Sequence, residues 1–97
     1  MIFHIARTGD WQHAQVSGVY TMSTVGKTLA EEGFIHCSDA DQVSGTAERY
    51  YKDETDLVLL HIDTAKLTSP VKYENGFPHV YGPIDVAAVS EAEPFRS

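Results

Sequence analysis

Three observations predict an α+β fold. Helix start and stop signals crowd into the first half of the chain, strand-type apolar runs crowd into the second, and the two do not interleave as βαβ units. Two consecutive sheets, or one curved sheet with its helices on one side, both fit. Either is a split or curved, mostly antiparallel β core with two to three short helices. The 97 residues make one domain, 1–97. Size scaling gives roughly 5,500 Å² of folded surface against roughly 15,500 Å² unfolded, enough burial for a core without staples.

Ile2 to Ala6 predicts the first strand, with Phe3 and Ile5 on one face and Ile2, His4 and Ala6 on the other. Asp10 is positioned to cap a helix over Trp11 to Ser17, ended by Gly18. Val19 to Met22 is extended or loop. Ser23 is positioned to cap a second helix with Val25 and Leu29 at i, i+4 and Gly33 just past its end. Phe34 to Ser38 predicts a strand, and Ser38-Asp39-Ala40-Asp41 starts a third helix. Val43, Ala47 and Tyr50 form its buried face.

Asp53-Glu54-Thr55-Asp56 is a polar exit loop, and Leu57 to Asp63 is the strongest strand, expected at the centre. Its Val58, Leu60 and Ile62 are expected to pack on the helix of Val43 and Ala47. Thr64 to Pro70 connects to a strand over Val71 to Glu74, and Asn75-Gly76 is a hairpin turn signal. Phe77 to Tyr81 is extended, Gly82-Pro83 makes a bend, and Ile84 to Val89 is a last strand. Pro94 to Ser97 is expected to fray.

Composition narrows the function classes. Hydrophobic residues make up 42% and charged residues 22%, which excludes wholesale disorder. Fourteen Asp and Glu against seven Lys and Arg give a net charge of -7. Such a surface repels phosphate backbones, so general nucleic-acid binding is not expected. The longest strongly apolar run, Leu57 to Leu60, is far too short to span a bilayer, and the start does not resemble a signal peptide. The single Cys37 excludes an internal disulfide and suits a cytoplasmic location. Oligomeric state is left open.

Histidine carries the chemistry. His4, His36, His61 and His79 all fall in predicted strands, while His13 falls on a helix surface. Alternation puts His36 on one face with Phe34 and Ser38, and His79 on one face with Phe77 and Tyr81. Each triplet joins an aromatic ring, an imidazole and a hydroxyl, the mixed lining of a small-molecule pocket. The bland alternative is half-buried imidazoles bonded to backbone. A metal enzyme using His4, His36, His61 and His79 with Asp63 or Glu74 is a second alternative. No His-x-His pair and no HExxH supports it, so no metal ligand is assigned. Cys37 shares its facing with Ile35 and is expected to be an inert buried thiol.

Gly33-Phe34-Ile35-His36-Cys37-Ser38 and Phe77-Pro78-His79-Val80-Tyr81-Gly82-Pro83 closely resemble the Domain of Unknown Function 952 family of small bacterial and plant proteins. Phe3-His4-Ile5, Trp11, Glu32-Gly33 and the Leu57 to Asp63 strand fit the same pattern, so the resemblance covers nearly the whole chain. That family is distantly similar to the ADP-ribosyltransferase fold, whose split β core binds NAD in a cleft. The resemblance implies that His4 bonds a ribose hydroxyl and that His36 and Ser38 stand near the cofactor. It also implies a final group that stabilises the ribosyl cation. In the ADP-ribosyltransferase group that is often a final Glu; the candidates here are Glu74 and His79, neither in an unambiguous Glu motif.

The expected function is therefore an NAD- or nucleotide-binding cleft acting in ribosyl transfer or cleavage. His36, His79 and Glu74 are the catalytic candidates, and His4, Ser38, Tyr81 and Phe34 are the cofactor-binding ones. A non-catalytic ligand-binding or regulatory module is the alternative.

Overall fold

The computed structural model describes residues 1–96. Its accessible surface is 5326 Å², close to the size scaling. Among the described residues ten strands form two three-stranded and two two-stranded sheets, all with antiparallel pairs. The chain runs β1 (Ile2–Arg7), α1 (Thr8–Ser17), β2 (Val19–Tyr20), β3 (Met22–Thr24), β4 (Lys27–Thr28), α2 (Leu29–Glu32) and β5 (Ile35–His36). A 3-10 turn over Ala40–Gln42 leads into α3 (Val43–Tyr50), followed by β6 (Leu57–Ile62), β7 (Val71–Glu74), β8 (Phe77–Val80), β9 (Ile84–Asp85) and β10 (Val89–Arg96).

The first sheet has the order β1-β6-β10, so the apolar Leu57–Ile62 strand is central as expected. The other large sheet has the order β5-β8-β7. One bridge joins the two: Phe3 and Ser38 exchange backbone N–H···O bonds of 2.8 Å in both directions.

Strand alternation divides the core in two. Ile2, Ala6, Leu60 and Ile62 cluster with Trp11 and Ala14 of α1. Ile5, Leu57 and Leu59 cluster with Val43, Ala47 and Tyr51 of the α3 region. The expectation that Val58, Leu60 and Ile62 meet the helix of Val43 and Ala47 is therefore corrected: all three lie on the α1 side. Period 2 sends the odd and even residues of β6 to different helices.

Other differences have local causes. Helix α1 starts at Thr8, so Asp10 sits in its first turn rather than at the cap. Gly18 ends it in the left-handed conformation, as expected. The helix expected after Ser23 is a hairpin of β3 and β4, with Gly26 at φ 70° in the turn. The segment holds Thr24, Val25 and Thr28 besides Gly26, all poor helix formers. Only Leu29–Glu32 is helical, opened by a Thr28–Glu31 capping box and closed by Gly33.

Tyr51, the residue that caps the end of α3, is 3% exposed, while Tyr50 is 55% exposed, so the expected Tyr50 contact moves one residue on. Asn75 and Gly76 both take positive φ, the hairpin turn their sequence predicts. The expected Ile84–Val89 strand is broken by a 3-10 turn at Val86–Ala88. The expected fraying of 94–97 is also corrected, apart from Ser97, which lies outside the described residues. Pro94 and Arg96 pair with Val58 and Leu57, and the Arg96 guanidinium donates to the carbonyls of Tyr51 and Glu54. Pro is tolerated there because β10 is an edge strand with a register shift.

Leu60 is fully buried at the centre of the first sheet. Leu60→Ala is expected to cost about 2–5 kcal/mol, measured by urea denaturation. A loss below about 0.5 kcal/mol would place Leu60 outside the core.

Candidate functional site

A cleft of about 560 Å³ opens beside the bridge between the sheets. Its walls come from β1 (Phe3, His4, Ile5), the β5 segment (Phe34 to Ser38, without Ile35), α3 (Thr46, Arg49, Tyr50) and the β7–β8 hairpin (Glu74, Phe77, His79). The volume lies in the ordinary range for small-molecule sites.

Register creates the centre of the site. His36 on β5 is the direct cross-strand partner of His79 on β8, and the rings stand edge-on with centroids 5.2 Å apart. Phe34 stacks on His79 at 4.2 Å and 17°, and meets the edge of His36 at 4.6 Å. Ser23, fully buried in β3, donates to the Phe34 carbonyl at 2.5 Å and so holds the residue just before β5. Burial, helped by the neighbouring His79, pushes the His36 imidazole below its ordinary value, with Glu32 opposing.

His79 is oriented by a carboxylate. Its Nδ1 lies 2.9 Å from Glu74 Oε1. A ring that donates from Nδ1 has, when neutral, a bare Nε2 able to accept a proton. The same Glu74 oxygen accepts from the Tyr81 hydroxyl. The Tyr81 and His79 bonds hold the exposed Glu74 below the usual carboxylate range, and Glu74 in turn raises Tyr81. Tyr81 is not part of the cleft wall; its hydroxyl is committed to Glu74 and its ring stands 5.4 Å from Phe34.

His4 lies at the cleft floor, 2% exposed. Its Nδ1–H donates to the His36 carbonyl at 2.6 Å, so Nε2 is left to accept the Tyr20 hydroxyl at 2.9 Å. Both ring nitrogens are thereby used, and a ribose hydroxyl would have to displace Tyr20. Burial keeps this imidazole neutral, pushed down to about 4. Ser38 is buried with its hydroxyl 3.0 Å from that of Thr46. Cys37 is buried at the cleft wall and burial pushes its thiol far up, which agrees with an inert role.

Sequence reasoning missed the helix wall. Gln42, Thr46 and Arg49 recur at i, i+4, i+7, a polar stripe beside the apolar one. Gln42 donates to the Gly76 carbonyl at 2.7 Å and ties the helix start to the β7–β8 turn. Arg49 brings a guanidinium to the cleft, and among the described residues no carboxylate lies within ion-pair distance of it.

The alternative of one metal shared by His4, His36, His61 and His79 is corrected. His61 stands behind Phe3, ring centroids 4.9 Å apart, with its Nε2 2.8 Å from Glu93. Among the described residues no three ligand atoms in the cleft come within 4.8 Å of one another.

The family described as Protein of unknown function (DUF952) matches residues 5–92. The chain belongs to the DUF952 family. No curated protein matches it. Among solved structures, this DUF952 chain is similar to protein CC0527 from Caulobacter crescentus. The crystal structure of that protein has a TM-score of 0.81 at 31% identity, covering 94% of this chain and 82% of that one. Its solution NMR structure has a TM-score of 0.78 at 30% identity, covering 98% and 84%. The small α+β architecture is thus shared with that protein.

The buried neutral His4 gives a pH prediction. Its value in the fold, about 4, is below the ordinary 6.5, so the unfolded chain binds a proton that the fold refuses. Its stabilising contribution is full above about pH 6.5 and is lost as pH falls towards 4. About 3 kcal/mol should disappear over that window in urea melts, and His4→Gln should lack that part of the slope. His36, also shifted downward, adds a smaller loss of the same sign in both proteins.

Proposed function

We propose that the cleft binds NAD or a related nucleotide by its ribosyl end and acts in cleavage or transfer at the ribosyl carbon. The observation that carries this reading is the His36–His79 cross-strand pair, packed on Phe34 inside a 560 Å³ cleft. It agrees with the distant resemblance to the ADP-ribosyltransferase fold. The residues supply three kinds of contact. Phe34 and the imidazoles offer a ring wall for a flat heterocycle. The Ser38 and Thr46 hydroxyls suit sugar hydroxyls, and Arg49 suits a phosphate. The nucleotide itself would supply the bond to be broken, the N-glycosidic bond to its base.

The roles of the chain's own groups follow. Breaking that bond develops positive charge at the ribosyl carbon, and the ionised Glu74 is a negative charge at the cleft wall. His79, held through Nδ1 by Glu74, presents Nε2 to take the proton of the incoming nucleophile. The ligand is a small molecule rather than a nucleic acid, because the chain's charge of -7 opposes long phosphate backbones. No described helix is long and apolar enough to cross a membrane. A lone buried thiol suits the cytoplasm.

A second reading rests on the same network. Glu74 Oε1 already accepts two hydrogen bonds and His4 has both nitrogens engaged, which favours a binding module without turnover.

NMR titration of labelled protein with NAD and ADP-ribose tests the site. Shifts are expected at residues 34–38, 46–50 and 74–81. Arg49→Ala is expected to weaken binding about tenfold or more, the cost of a charge-assisted bond. No shifts at millimolar ligand would remove the nucleotide reading. Binding without release of nicotinamide would select the module over the enzyme.

A further inference from the structure

A second cluster of ligand-type side chains lies on the first sheet, outside the cleft wall. His61, Glu91 and Glu93 each bring one nitrogen or oxygen to within 4.8 Å of the others. Strand register produces this. Glu91 of β10 pairs with His61 of β6, Ala92 with Leu60 and Val89 with Ile62. Ser90 is therefore an extra residue, a bulge, and it sets Glu91, and by alternation Glu93, on the face that carries His61. His61 Nε2 meets Glu93 Oε1 at 2.8 Å, and Phe3 braces the ring edge-on at 74°.

Charge shows what would complete the cluster. Two carboxylates side by side repel, and one imidazole balances at most one of them. Among the described residues no Lys or Arg lies within ion-pair distance of Glu91 or Glu93. A divalent cation would offset both carboxylates and take the imidazole nitrogen as third ligand. One nitrogen and two oxygen donors suit a zinc-class ion better than magnesium or calcium, which prefer oxygen alone. Three protein ligands leave a fourth tetrahedral position for water. The partly exposed side chains of His61 and Glu93, 22% and 43%, leave the ion open to exchange.

We propose that His61, Glu91 and Glu93 form an exchangeable site for a divalent transition-metal ion of the zinc class, clamping β10 to β6. The sequence expectation of no metal ligand rested on the lack of a closely spaced pair. Glu91-x-Glu93 is such a pair once the bulge sets its facing, and β pairing adds the histidine.

Isothermal titration of the untagged full chain with zinc chloride tests the site. One saturable equivalent is expected. Glu91→Gln and His61→Ala are each expected to weaken it about tenfold or more, and His36→Ala to leave it unchanged. Glu91 is exposed, so Glu91→Gln should keep the circular dichroism of the parent. Zinc should raise the thermal midpoint of the parent and raise that of Glu91→Gln less. Absent saturable binding, equal affinity in Glu91→Gln, or equal weakening by His36→Ala would each overturn the proposal.

Discussion

The bond from His4 to the carbonyl of His36 is the constraint on which the rest of the molecule depends. It sits beside the Phe3–Ser38 bridge, where the two three-stranded sheets meet. Their junction is a buried polar seam. His4 resolves the seam with one ring. Nδ1 satisfies a β5 carbonyl and Nε2 satisfies the buried Tyr20 hydroxyl. Among the described residues no buried side-chain nitrogen or oxygen lacks a partner. A hydrophobic side chain at position 4 would orphan two groups at once, which costs more than its burial returns. The cleft opens beside this seam, so the site and the sheet junction are one feature.

Much of the fold is written locally. Gly18 and Gly33 end helices because a left-handed residue is needed there, and Asn75-Gly76 turns a hairpin for the same reason. Leu57–Ile62 is central because a continuous apolar strand must be covered on both faces. Where the sequence misleads, tertiary packing decides. Ser23 resembles a helix cap, yet its hydroxyl is drawn to the Phe34 carbonyl eleven residues on. Val25 and Leu29 show helical spacing, but they join different core clusters, one on each side of the first sheet. Tyr50 and Tyr51 are equally apolar neighbours, and only the rotation of α3 selects which is buried. The C-terminal strand has charges and a proline, and it holds through pairing with β6, a long-range contact that composition does not encode.

The site was readable in its chemistry and not in its register. Alternation brought Phe34, His36 and Ser38 together, and likewise Phe77 and His79, because period 2 needs no tertiary knowledge. That His36 would face His79 required the pairing of β5 with β8. Glu74 reaches His79 only because the turn at Asn75-Gly76 folds β7 back on β8. Arg49 and Thr46 form a polar stripe that is visible in the sequence, but a polar stripe is ordinarily a solvated face. It becomes a wall only when Gln42 is tied to Gly76 across the cleft mouth.

The four strand histidines then differ by what is left unused on each ring. His4 has two partners and stays a neutral, buried joint. His61 has given Nε2 to Glu93, and His79 has given Nδ1 to Glu74. His36 is held chiefly by ring contacts, with Glu32 at 3.7 Å, beyond hydrogen-bond reach. The freedom of a ring nitrogen, more than its burial, decides its chemical use. By that measure His36 and His79 are the cleft histidines with a ring nitrogen to spare, while His4, with both engaged, lies beneath them. It holds the carbonyl of His36 itself, so any change in its protonation reaches the cleft through the β5 backbone. Acid that charges His4 would leave its bond to the His36 carbonyl in place, but it would bury a cation at the sheet junction and turn Nε2 from acceptor to donor, so the bond from the Tyr20 hydroxyl is the one lost.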